Sequence, residues 1–93
     1  MPTLHHVYIV RCADGTLYTG YARDPEKRAQ THNAGRGAKY TAHRLPVLLI
    51  YSEACESRSA ALKREYEVKR LTRAEKENLV REKCVRGRKR RRA

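Results

Sequence analysis

Tyr8, Tyr18, Arg28 and His32 have the types and spacing for work on an anionic substrate. A phenol, a guanidinium and an imidazole suit such work, and Arg grips phosphate oxygens with a planar fork. Arg28 and His32 lie four apart, so on a helix they share one face. Tyr8 and Tyr18 flank the turn signal Ala13-Asp14-Gly15-Thr16, and they face one another if a hairpin closes there. A helix packed back across that hairpin brings all four to one patch.

The flanking elements can supply this positioning. Runs rich in Tyr, Val, Ile and Thr predict one strand over 6–12 and a second over 17–22. Asp24-Pro25-Glu26 opens a helix over about 25–33, with Asp as N-cap, Pro at the first helical position and an acid in the first turn. Residues 33–46 read as a loop, with two Gly and one Pro. It carries Arg36, Lys39, Tyr40, His43 and Arg44, a basic and aromatic mix suited to a phosphate backbone. Val47-Leu-Leu-Ile-Tyr51 is the most apolar run and reads as a buried central strand. Ser57 caps a helix over about 58–70, and Thr72-Arg-Ala-Glu75 is a capping box that starts another, over 73 to about 83. The expected fold is a small α/β (α+β) sandwich, order β-β-α-β-α-α, with a three-stranded antiparallel sheet flanked by helices.

Glu65 is the most telling acid. It shares a predicted helix stripe with Ala61 and Val68, where packing residues belong. A carboxylate there needs a partner, either a hard divalent cation or one of the many Arg. Spacing alone leaves both open. Taken singly, Tyr8 and Tyr18 also read as packing residues, Arg28 as a solvated charge and His32 as a helix C-terminal residue favoured by the dipole. His5, His6 and His43 show no metal-ligand spacing, and the chain has no P-loop and no Gly-x-Ser-x-Gly.

The composition bounds the partners. The chain has 93 residues, enough for one small domain with a limited core. Lys plus Arg is 22 against 10 acids, a net charge of +12. Six of the positive charges fall in Arg86–Arg92, which leaves +6 on the rest, so the folded part is basic on its own. Nucleic acid is the natural partner. The 86–93 stretch reads as a disordered basic tail behind a domain over 1–85, suited to weak, sequence-independent nucleic-acid binding. No apolar run is long enough to span a membrane, and no signal peptide is evident. Cys12, Cys55 and Cys84 are widely spaced and odd in number, which reads as free thiols in a reducing, cytoplasmic compartment.

Val7-Tyr8-Ile9, then Tyr18-Thr19-Gly20, then Arg28 and His32, and later Glu65, resemble the GIY-YIG nuclease motif in the order of its parts. The resemblance spans residues 6 to about 80. His6-Val7-Tyr8 stands for Gly-Ile-Tyr and Tyr-Thr-Gly for Tyr-Ile-Gly, so both Tyr and the second Gly are kept. Arg11–Gly20, His32–Thr41 and Arg58–Glu65 look like the short single-domain bacterial members.

The resemblance implies the GIY-YIG endonuclease fold and metal-dependent hydrolysis of phosphodiester bonds. DNA stands ahead of RNA as substrate, repair or recombination is the setting, and the protein is a monomer or weak dimer. One divalent ion, Mg²⁺ or Mn²⁺, would sit on Glu65. Tyr8 would be the general base for the attacking water, although a phenol with a pKa of about 10 needs help to deprotonate. Tyr18 would orient that water, Arg28 would neutralise transition-state charge, and His32 would hydrogen-bond a Tyr or relay its proton. Gly20 would be structural, and Arg36, Lys39, Tyr40 and Arg44 would grip substrate. The competing expectation is a module of the same fold that binds nucleic acid without cutting it.

Overall fold

A computed structural model describes residues 5–92, with side chains described for 5–82. The elements in chain order are β1 (His5–Arg11), β2 (Leu17–Ala22), α1 (Pro25–Asn33), α2 (Lys39–Ala42), β3 (Leu48–Cys55), α3 (Arg58–Lys69) and α4 (Arg73–Arg92). The three strands form one antiparallel sheet in the order β2-β1-β3.

The local signals act through named contacts. In the hairpin turn Asp14 Oδ1 accepts from the Thr16 amide at 3.1 Å and the Thr16 hydroxyl at 2.7 Å. Gly15 takes a φ of 88°, a left-handed conformation that glycine adopts without a Cβ penalty. Asp24 caps α1 by accepting from Lys27 N at 3.2 Å, and Ser57 caps α3 by accepting from Ala60 N at 3.1 Å. At α4 the capping box closes both ways: the Thr72 amide donates to Glu75 Oε1 at 2.8 Å, and the Glu75 amide donates to Thr72 Oγ1 at 3.2 Å.

The sheet is covered on both faces. Val7, Ile9 and Tyr51 pack with Ala61 and Val68 of α3, and Leu79 and Val80 of α4 join them. On the other face Tyr8, Val10, Cys12, Ala22 and Val47 form a second cluster. Burying each such aliphatic side chain stabilises the fold by about 1.5–3 kcal/mol. Among the described residues, Cys12 and Cys55 are free thiols, and no helix is long and apolar enough to cross a membrane. The Cys84 side chain lies outside the described residues.

Three expectations are corrected. The Val47–Tyr51 run reads as a central strand, but from Leu48 on it forms an edge strand that continues to Cys55. The centre is β1, where Val7, Tyr8, Ile9 and Val10 are all buried because both sheet faces are covered there, whereas Leu48 of β3 is 64% exposed. Second, the 33–46 loop contains the single turn α2. Third, the backbone of α4 runs on to Arg92, past the expected end near 83. Arg and Lys are good helix formers, which suits the continuation, while Gly87 and the like charges of the run oppose it.

Candidate active site

Gly20 opens the site. It pairs with Tyr8 across the β1–β2 ladder, and a Cβ built on it would stand 2.5 Å from the Tyr8 hydroxyl and 2.7 Å from its Cζ. Because that Cβ is missing, Tyr8 reaches from the central strand over edge strand β2. Tyr18 pairs with Val10, so it is a diagonal neighbour of Tyr8 and not its opposite partner. The expected face-to-face pairing is corrected in this sense. Strand pleating still puts both rings on one face, with centroids 6.5 Å apart.

Helix α1 delivers the next two groups. His32 lies in its last turn and is 1% exposed. Its Nε2 is 3.0 Å from the Tyr8 hydroxyl, and its Nδ1 is 2.8 Å from Thr41 Oγ1. Its ring meets Tyr18 edge-on at 5.5 Å. Arg28, one turn earlier, is exposed and lines the same cleft. Glu65 arrives from α3 on the opposite side. Its side chain is 18% exposed and forms an ion pair at 3.1 Å with Lys69, a Lys one turn on and not an Arg. Tyr8, Tyr18, Arg28, His32, Arg36 and Glu65 thus share one open cleft of about 390 Å³.

Burial governs the protonation states. It pushes the Tyr8 phenol well above its ordinary value, Tyr18 and Glu65 add to this, and Arg28 opposes it. Burial, then Arg28, pushes His32 below the usual imidazole value. The resting pair is therefore a neutral phenol beside a neutral imidazole.

The remaining expected residues lie around the rim. Tyr40 stacks on Tyr18 with centroids 5.8 Å apart. Arg44 covers the Tyr40 ring at 4.1 Å, pairs with Asp14 at 3.1 Å and donates to the Tyr40 carbonyl at 2.6 Å. Arg44 is thus engaged in holding the loop, and neither it nor the exposed Lys39 lines the cleft. Sequence reasoning missed Thr41 and Gly37, which press the loop onto His32; a Cβ on Gly37 would overlap the His32 ring. The loop signals its turns locally but carries no periodic pattern to reveal that it folds back on α1.

Among the described residues, no group of three or more His, Cys, Asp and Glu could hold a metal ion. Glu65 is the carboxylate that lines the cleft. A lone carboxylate beside open space fits Mg²⁺, which keeps several waters and often takes one or two carboxylates plus phosphate.

The GIY-YIG catalytic domain profile matches residues 4–78. The chain belongs to the GIY-YIG family. It is therefore a member of a nuclease family whose domain implies nucleic-acid binding and, in general, metal dependence. A UPF0213 protein of Staphylococcus aureus (strain Mu3) is 58% identical over 78 residues, covering 84% of this chain and 95% of that one. The solution structure of the UPF0213 protein BH0048 from Bacillus halodurans is 49% identical with a TM-score of 0.53, over 82% of this chain and 81% of that one. The solution structure of EF2693 from E. faecalis is 40% identical with a TM-score of 0.54, over 85% and 84%. This GIY-YIG chain thus resembles short single-domain bacterial proteins.

Proposed function

We propose that this protein is an endonuclease that hydrolyses phosphodiester bonds with one divalent cation, acting on DNA ahead of RNA. The observation that carries this reading is the convergence of Arg28 from α1 and Glu65 from α3 on the cleft that holds Tyr8 and Tyr18. A carboxylate facing a phosphate site repels substrate unless a cation is held there. Glu65 would hold Mg²⁺ or Mn²⁺, which when bound supplies polarisation of the phosphate and stabilisation of the leaving oxygen.

This chain's own residues supply the rest. Arg28 binds the phosphate and neutralises charge that develops on it. Tyr8 holds its proton in the resting protein and releases it to His32 Nε2 when substrate charge and Arg28 are in place. Tyr18 orients the attacking water. Arg36 and Lys39 bind the flanking backbone, and Tyr40 supports Tyr18. The protein acts in the cytoplasm as a monomer or weak dimer, in repair or recombination.

One observation favours the alternative of a binding module that does not cut: Lys69 already satisfies Glu65. A cleavage assay separates the two. Labelled single-stranded, duplex and branched DNA and RNA are incubated with Mg²⁺, Mn²⁺ or EDTA, beside Glu65→Ala. Metal-dependent cutting that the variant loses is expected. Tight binding without cutting in both proteins would replace the nuclease reading with the binding one.

A further inference from the structure

Thr41 is fully buried on α2 and takes no part in the cleft surface. Its Oγ1 has two polar neighbours, His32 Nδ1 at 2.8 Å and the Ala38 carbonyl at 2.9 Å. We propose that Thr41 is a positioning residue whose hydroxyl fixes the tautomer of His32, leaving Nε2 bare and aimed at Tyr8 as a hydrogen-bond acceptor.

A threonine hydroxyl has one proton to donate and lone pairs to accept with. The Ala38 carbonyl can only accept. It also takes the Thr41 and Ala42 amides at 3.1 and 3.2 Å, and the hydroxyl contact is the shortest of the three. Threonine in a helical turn commonly donates to the carbonyl three or four residues back. With its proton committed there, Thr41 offers Nδ1 a lone pair, so Nδ1 carries the hydrogen. A neutral imidazole has only one N–H. Nε2 is then an acceptor 3.0 Å from Tyr8, whose hydroxyl must donate. The burial that keeps His32 neutral supports this arrangement. So does Gly37, whose missing side chain lets the loop lie directly on the imidazole ring.

The direction of this chain has a chemical consequence, which rests on the nuclease reading although the tautomer itself does not. With Nε2 bare, the Tyr8 O–H bond can break as an Nε2–H bond forms. The resulting imidazolium donates to two acceptors, the Tyr8 phenolate and Thr41 Oγ1. The phenolate takes a proton from water, and the hydroxide bonds to phosphorus as the bond to the leaving oxygen breaks. That oxygen takes a proton from solvent, and the Nε2 proton passes back to the Tyr8 oxygen as Tyr8 gives its own hydroxyl proton to solvent, so both side chains end as they began. With the opposite polarity, Thr41 donating to Nδ1, Nε2 already holds a proton and cannot receive one from Tyr8.

The test is long-range ¹H–¹⁵N correlation of the His32 ring nitrogens in labelled full-length protein, for wild type, Thr41→Ser and Thr41→Val. Wild type and the serine variant, which keeps the hydroxyl, should show a protonated Nδ1 and a bare Nε2. The valine variant should shift toward a protonated Nε2, and where the protein cuts, its kcat should fall on the order of 10²-fold with KM little changed. A protonated Nε2 in wild type overturns the proposal, and so does a valine variant that keeps the Nδ1–H form. Should Thr41→Val not fold, the wild-type and serine spectra decide. Should no form of the protein cut nucleic acid, the tautomer result stands and the nuclease reading alone falls.

Discussion

The ring of Tyr8 lies against the α-carbon of Gly20, so closely that one added methyl would stand 2.5 Å from the phenol oxygen. Tyr8 is buried and hydrogen-bonded to His32, so its ring cannot simply swing aside. Gly20→Ala should therefore destabilise the protein by about 1–3 kcal/mol, the usual penalty of overpacking. It should also remove most cleavage by displacing the phenol. Urea denaturation of a double-mutant cycle isolates the cause: in a Tyr8→Ala background the same change at Gly20 should be nearly neutral. An equal loss in both backgrounds would assign the glycine to backbone geometry instead.

Arg28 and Glu65 should separate activity from stability. Arg28 is exposed, so Arg28→Ala should change unfolding free energy by no more than about 0.5 kcal/mol. Its loss from the phosphate should lower kcat by roughly 10²- to 10³-fold. Glu65→Gln keeps the shape of the side chain but should reduce cleavage to the level seen in EDTA. Lys69→Ala removes the ion-pair partner of Glu65 and should leave cleavage intact. Loss of activity in the lysine variant, with Glu65→Gln still active, would invert these roles.

The chain announces some of this arrangement locally and hides the rest. The hairpin, the caps of α1 and α3 and the capping box of α4 each depend on residues a few positions apart, so they can be read directly from residue order. The convergence of Tyr8, Tyr18, Arg28, His32 and Glu65 was expected from a family resemblance, because no local rule brings α3 to the open edge of β2. A short apolar stretch such as Val47–Tyr51 looks the same at the centre of a sheet and at its edge. Only the double-sided burial of β1 settles that order. Nothing in the residue order singles out Thr41, because its partner, His32, lies across a loop with no periodic signal. The pairing of Arg44 with Asp14 spans thirty positions, so no local pattern announces it.

His32 should make stability depend on pH. Its folded pKa lies below the ordinary imidazole value of about 6.5. Above that value the ring is neutral whether the chain is folded or not, and its contribution to stability is fully present. As pH falls below about 6.5 the unfolded chain binds a proton that the folded chain resists. Stability is then lost until pH has passed through the folded pKa. Denaturation midpoints measured in steps from pH 7.5 to 5 should therefore fall more steeply for wild type than for His32→Gln. Parallel slopes would mean that the buried ring titrates as freely as an exposed one.

Asn33 should control the loop that carries Thr41. Its side-chain amide clamps Val47 at both ends, donating to the carbonyl at 3.0 Å and accepting from the amide at 2.6 Å. The clamp ties the C-terminus of α1 to the start of β3, so the intervening loop is closed over His32 at both ends. Asn33→Ala leaves the Val47 amide and carbonyl without their partner, which should destabilise the fold by about 1–3 kcal/mol. Asn33→Asp keeps an acceptor for the Val47 amide but sets a carboxylate against its carbonyl, so it should lose only part of the clamp. Hydrogen exchange reports the difference directly. The Val47 amide should exchange faster in Asn33→Ala and stay protected in Asn33→Asp, and Thr41 should loosen with Val47 in the alanine variant alone. Unchanged protection of Val47 in Asn33→Ala would show that packing of the Val47 side chain, not the clamp, holds the loop in place.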